Sequence, residues 1–157
     1  MGEVGATGVR RSIKRLRRAD AAVVYVGTGA TVGGLLLAVV GWALFAVSEG
    51  QPPGSDAYWA YREAAVVVAG IATLTILVGG IRLATVVGRI RRRTLAAAAL
   101  GTACCLASLA VFVTAYPMAW NVPGPDRSLL GVSLYGVGVV ALGFAVALAV
   151  RGRYPPT

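Results

Sequence analysis

Four long apolar runs, each almost free of charged residues, constrain this chain more than any other feature of its sequence. They cover residues 21–47, 64–87, 95–116 and 129–150. An α-helix rises about 1.5 Å per residue, so about 20 apolar residues cross a hydrocarbon core about 30 Å thick. Each run is long enough, and charged residues make up only 13% of the chain, against about 25% in a soluble domain. The sequence therefore predicts an all-α, polytopic membrane protein with a four-helix transmembrane bundle.

The segments between the runs leave no room for a separate soluble domain. The predicted organisation is a basic N-terminal segment (1–20), transmembrane helix 1 (21–47), a loop with an interfacial helix (48–63), helix 2 (64–87), a basic turn (88–94), helix 3 (95–116), a second loop (117–128), helix 4 (129–150) and a tail (151–157). Prolines and glycines interrupt both long loops, and the turn is short, which predicts antiparallel neighbours in an up-down-up-down order.

Two local features bear on where helices 1 and 2 begin. Residues 56–63 contain no helix breaker, so they either lie in the membrane interface or extend helix 2. Within them Tyr58 and Arg62 are four residues apart, which places the cation within reach of the ring. Asp20 is a candidate N-cap of helix 1, because its carboxylate can accept from free backbone N–H groups.

Basic residues are distributed unevenly between the two ends of the predicted bundle. Of the 15 basic residues, 13 flank the termini and the 88–94 turn, and only Arg62 and Arg127 flank the other two loops. Lys and Arg remain on the cytoplasmic side of a membrane. All three tryptophans, Trp42, Trp59 and Trp120, fall at the opposite boundary. We therefore expect a multi-pass protein of the cell membrane with both termini in the cytoplasm.

Two basic clusters are candidate contacts for anionic lipid headgroups. They consist of Arg10, Arg11, Lys14, Arg15, Arg17 and Arg18 before helix 1, and Arg89, Arg91, Arg92 and Arg93 in the turn. The first cluster surrounds a short apolar stripe, which predicts an amphipathic helix lying on the inner surface. The favoured interpretation is that this cluster orients helix 1; recognition of a specific acidic lipid or a cytoplasmic partner is the alternative. Because the net charge of +9 sits at membrane boundaries, it does not indicate a nucleic-acid partner.

Small residues at helical spacing predict how the helices pack, because close backbone approach drives association in lipid. The candidate packing residues are Gly29 and Gly33 in helix 1, Gly80 and Ala84 in helix 2, and Gly131 and Gly138 in helix 4. We expect a leucine at Gly33 or Gly138 to loosen the bundle. Packing of these faces between two copies of the chain, in a homo-oligomer, is the alternative.

Residues that carry chemistry are scarce in this sequence. Histidine is absent, which removes the commonest general base and metal ligand. Cys104 and Cys105 are adjacent and point about 100° apart on a helix, so we interpret them as packing residues and not as a redox pair. Arg82 lies within the second run, seven residues before Arg89, and its side chain is long enough to reach the inner headgroups. A functional role for Arg82 is the alternative, since intramembrane charges often mark sites.

The pattern predicts a non-catalytic integral membrane protein with no catalytic residue, cofactor or metal. The favoured role is an accessory or structural component of a membrane assembly, with membrane lipids and a protein partner or second copy as its contacts. The alternative is a small transporter or channel subunit that forms a pathway as an oligomer.

The charge asymmetry makes a direct prediction about orientation. Tags on the two termini should be inaccessible to reagents added outside intact cells, and should become accessible once the membrane is permeabilised. Labelling of either tag in intact cells would overturn the assigned orientation.

Overall fold

Four helices make up the protein, as described by a computed structural model for residues 3–85, 92–118 and 127–151, with side chains from residue 21 onward. They are α1 (Glu3–Glu49), α2 (Asp56–Thr85), α3 (Arg92–Ala115) and α4 (Arg127–Arg151). Each contains a stretch long and apolar enough to cross a membrane. All regular secondary structure in the described part of the chain is helical. The predicted all-α, four-span membrane architecture is therefore confirmed.

Two helices are longer than the apolar runs that predict them. α1 continues without a break from Glu3 to Glu49, so Asp20 lies inside a helix and does not cap one. Residues 9–22 contain no glycine or proline and are rich in arginine and alanine, which favour helix, so nothing ends the helix between the basic segment and the span. The predicted surface helix is thus the N-terminal part of α1.

The helical segment before the second span extends α2, which begins at Asp56. Ser55 forms the N-cap, with its Oγ accepting a hydrogen bond from the Tyr58 N–H at 3.2 Å. Gly54 precedes it with a φ of 84°, a conformation that favours glycine. The turn and the cap together start α2 six residues before Arg62.

The helices form two antiparallel hairpins, α1–α2 and α3–α4, joined through contacts of α2 with α3 and α4. Among the described residues, α1 packs against α2 alone. We call the end that carries residues 50–55 and 116–118 the loop end, because Trp59 and Tyr116 pack together there at 5.8 Å. The opposite end, which carries Arg82, Arg92 and Arg151, is the basic end.

A seven-residue repeat of small residues closes the α1–α2 hairpin. The buried positions of α1 from residue 21 onward are all members of one such series, and α2 presents a matching series: Gly27, Gly34, Gly41 and Ser48 face Ala65, Ala72 and Gly79. A seven-residue repeat keeps one seam of each helix facing its partner along the whole contact. The contact therefore runs the length of the membrane span.

The two backbones of this hairpin approach closely. A Cβ atom added to Gly34 would lie 2.6 Å from Ile76 Cγ1 and 2.9 Å from the Ala72 carbonyl oxygen. One added to Gly79 would lie 2.9 Å from the Gly27 carbonyl oxygen. Side chains at these positions would push the helices apart, so glycine sets their separation.

The α3–α4 hairpin uses the same device. A Cβ atom on Gly101 would lie 2.7 Å from the Gly138 carbonyl oxygen, and one on Gly138 would overlap the Cys105 Sγ. One seven-residue repeat away, the Ser108 Oγ donates a hydrogen bond of 2.7 Å to the Gly131 carbonyl oxygen. Both hairpins are thus held by backbone contact.

The predicted packing residues divide into two groups. Ala84, Gly131 and Gly138 are buried between helices. At Gly29, Gly33 and Gly80 an added Cβ would meet no atom within 4 Å in the described part of the chain, so these three are not points of close helix contact there. The seam of α1 follows Gly34, and Gly33 is rotated about 100° away from it.

We expect Gly34→Leu to lower the free energy of unfolding by about 1–3 kcal/mol, because a side chain there overpacks the seam. Gly33→Leu, on the adjacent open position, should leave stability nearly unchanged. Thermal unfolding in detergent compares the two, and equal losses would contradict the assigned seam.

The second hairpin offers an equivalent pair of variants. Gly138→Leu should destabilise the protein, whereas Gly136→Leu should not, because a Cβ at Gly136 meets no atom within 4 Å. Insensitivity to both would show that the α3–α4 backbones are farther apart than described.

Candidate functional site

A crevice of about 550 Å³ separates the two hairpins in the loop-end half of the bundle. All four helices line it, and its apolar wall is formed by Phe45, Val66, Leu109, Phe112 and Val132. The crevice exists because α1 lies against α2 alone in the described structure, which leaves the space between α1 and α4 unfilled. It lies at the depth of the apolar spans, where lipid chains surround the protein.

Hydrogen bonds hold the two sides of the crevice in place. The Tyr135 hydroxyl on α4 donates to the Gly70 carbonyl oxygen on α2 at 3.1 Å, which links the hairpins. On the α2 wall the Thr73 Oγ1 donates to the Ala69 carbonyl oxygen at 3.0 Å. An added Cβ on Gly70 would lie 2.6 Å from Leu109 Cδ2, so glycine admits α3 at this point. Contacts at Gly70 therefore join α2 to both α3 and α4 at the crevice.

Among the described residues that line the crevice, Arg62 alone is charged. Its guanidinium carbon lies 4.9 Å from the centre of the Phe45 ring and 4.5 Å from that of Tyr58. The contact with Tyr58 is the one that the four-residue spacing predicts. The Arg62 Nη2 donates to the Glu49 carboxylate, which is 57% exposed. Two rings and one carboxylate thus hold the cation at the loop end.

One donor of this guanidinium is left over. The Arg62 Nε is buried and has no hydrogen-bond acceptor among the described residues. A buried donor without an acceptor costs about 1–3 kcal/mol, more for a charged group. Arg62 therefore holds one unsatisfied, inaccessible donor beside the crevice, while its side chain remains 28% exposed.

Aromatic rings form the wall beside Arg62 and connect the hairpins. Tyr116 stacks on Phe112 at 4.7 Å and meets the edge of Trp59 at 5.8 Å. Burial raises the pKa of the Tyr116 phenol, while the charge of Arg62 opposes that rise. The phenol is consequently neutral at physiological pH.

Of the candidate residues whose side chains the structure describes, Gly131 lines the crevice, whereas Arg82, Arg92 and Arg93 do not. Arg10, Arg11, Lys14, Arg15, Arg17 and Arg18 are on the N-terminal part of α1, and their side chains lie outside the described structure, as do residues Arg89 and Arg91 entirely. Arg92 and Arg93 begin α3 and are exposed. Arg82 is exposed in the last turn of α2, where the Thr85 Oγ1 donates to its carbonyl oxygen.

The cysteines and other metal-binding residue types form no chemical site in the described part of the chain. Cys104 and Cys105 are free thiols, and Cys105 is fully buried at the Gly138 contact. No group of three or more His, Cys, Asp or Glu residues there could hold a metal ion. The crevice is the feature with the most defined chemistry.

The hydrogen bond from Tyr135 makes the inter-hairpin contact testable. Tyr135→Phe removes the hydroxyl and keeps the ring, so we expect a loss of about 0.5–2 kcal/mol in the free energy of unfolding in detergent. Tyr25→Phe, on a side chain that is 78% exposed, is the matched control and should have no effect. Identical stabilities of the two variants would mean that the hydroxyl does not join the hairpins.

Comparison with known proteins places this architecture in a family. No curated protein and no solved structure matches the chain. A family model described as cell division protein A, N-terminal domain, matches residues 13–154, a region that includes all four apolar spans. Since the match covers nearly the whole chain, the chain belongs to the family of the cell division protein A N-terminal domain.

Proposed function

We propose that this domain is a non-catalytic membrane component of a cell-division assembly in the cell membrane. The observation that carries the proposal is the extent of the family match, which begins within the basic segment and ends beyond α4. The division-related description therefore applies to the membrane bundle itself. On this view the bundle anchors or organises division proteins at the bilayer.

The length of α1 supports an anchoring role. Its apolar span is Ala21–Glu49, so residues 3–20 continue the same helix beyond the span. At about 1.5 Å per residue, these 18 residues extend about 27 Å. Six basic residues lie on this extension, which we call the basic arm (residues 3–20). The arm offers anionic lipids or an acidic partner surface a charged helix joined rigidly to the membrane domain.

The character of the crevice is also consistent with a non-catalytic role. Arg62, the one charged group among its described lining residues, is paired with Glu49 and flanked by two rings. The hydroxyl groups of Thr73, Ser108 and Tyr135 donate to helix carbonyl oxygens. Such a lining supports binding and assembly better than proton transfer.

Localisation and depletion test the proposed function together. A fluorescent fusion of the chain should concentrate at the division plane, and depletion should give elongated cells with a division defect. A fusion spread evenly over the membrane, together with normal cell length after depletion, would refute the proposal.

Purification in a mild detergent distinguishes the alternatives. The proposal predicts a stoichiometric protein partner whose retention weakens when the six arm residues Arg10, Arg11, Lys14, Arg15, Arg17 and Arg18 are changed to glutamine. The control variant changes Arg92 and Arg93, which lie outside the basic arm, to glutamine. Solute flux into vesicles that contain only this chain would instead support a transporter or channel.

A further inference from the structure

We propose that the crevice between the hairpins is a binding site for one phospholipid, with an acyl chain along the apolar wall and the phosphate at Arg62. The inference does not depend on the division-related role, because it rests on the shape and chemistry of the crevice alone. It assigns an occupant to a crevice whose one charged lining residue among those described, Arg62, is a cation.

The position of the crevice determines what can enter it. In the described structure α1 does not contact α4, so the crevice opens sideways to the bilayer between Phe45 and Val132, which are 44% and 64% exposed. Lipid chains surround the protein at this depth, and water does not satisfy polar groups there. The first molecule to reach the opening is therefore a lipid of the leaflet at the loop end.

The size of the crevice favours a chain over a helix. Its volume of about 550 Å³ lies within the usual range for small-molecule sites, about 300–1,000 Å³. A membrane-spanning helix is about 10 Å wide and about 30 Å long, which is several times larger. An acyl chain matches this volume better, and Val66 and Leu109 supply apolar lining for it.

Arg62 supplies the chemistry for the headgroup. A guanidinium has five N–H donors, and the contact with Glu49 uses only Nη2. The Arg62 side chain is 28% exposed, so the N–H groups of its guanidinium that remain accessible can donate charge-assisted hydrogen bonds to a phosphate oxygen. Glu49 and Glu63 lie near Arg62 but do not line the crevice, and Glu49 competes with the phosphate for the guanidinium. The site therefore selects anionic over zwitterionic lipids through Arg62 and holds the chain through apolar contact.

Native mass spectrometry of the whole chain in mild detergent tests the proposal, with phosphatidylglycerol or phosphatidylcholine of identical chains added. We expect one tightly retained phosphatidylglycerol per chain and weaker retention of phosphatidylcholine. Arg62→Gln should weaken phosphatidylglycerol binding by roughly tenfold or more and abolish the preference. Glu49→Gln should strengthen binding, because it removes the competing carboxylate.

A second pair of variants tests the chain-binding half of the site. Val132→Trp fills the crevice from an exposed position and should weaken retention of both lipids. Val137→Trp lies on the same helix at a position that is 58% exposed and does not line the crevice, so it should bind as the unmodified chain does. Unfolding temperatures of all variants establish that they are folded.

Three results would overturn the proposal. The first is unchanged phosphatidylglycerol retention in Arg62→Gln, and the second is equal retention by the two tryptophan variants. The third is a disulfide crosslink between two copies through Val132→Cys, in a background with alanine at Cys104 and Cys105, which would make a second copy the occupant.

Discussion

Close contact between helix backbones is the interaction on which this structure depends. Lipid chains are as apolar as leucine, so burial of apolar side chains does not drive helices together inside a bilayer. Glycine, alanine and serine at every seventh position instead allow the backbones of each hairpin to touch. At Gly34, Gly79 and Gly101 there is no room for a Cβ atom. The two hairpins are therefore the rigid units of the domain.

The crevice forms because helix contact is concentrated within each hairpin. Each hairpin is packed tightly along its own seam, whereas among the described helices α2 alone of the first hairpin contacts the second. Large residues on the remaining faces of α1, such as Trp42 at 73% exposure, point to the bilayer. Arg62 stands where the connection opens, held by rings and by Glu49. A cation at that depth is costly without such partners, so its surroundings must be ordered for the domain to keep it there.

The sequence predicts the architecture well and the packing faces less well. Apolar runs of 22 to 27 residues leave few alternatives to spanning helices, and the short basic turn leaves few alternatives to adjacent hairpins. The sequence does not determine the packing face of α1, because glycines at 27, 29, 33, 34 and 41 satisfy several helical spacings at once. Only the partner helix decides that Gly34 is buried and Gly33 is open.

The crevice is harder to predict from the sequence for a similar reason. The pairing of Tyr58 with Arg62 follows from their spacing on one helix, and the structure contains it. Phe45 and Glu49 are likewise one turn apart, but their approach to Arg62 depends on how residues 50–55 return the chain. Tyr135 and Gly70 are 65 residues apart and carry no mark of their contact in the sequence.

The continuity of α1 has a mechanical consequence. A single helix joins the charged residues beyond one face of the membrane to Phe45 and Glu49 at the other. A helix of 47 residues behaves as a stiff rod about 70 Å long. In the described structure α1 packs against α2 alone, and that contact runs the length of the span. A force that tilts the protruding end therefore moves the α1–α2 hairpin as one body, so traction on one side of the membrane displaces the paired Glu49 and Arg62 together, relative to the α3–α4 hairpin, on the other.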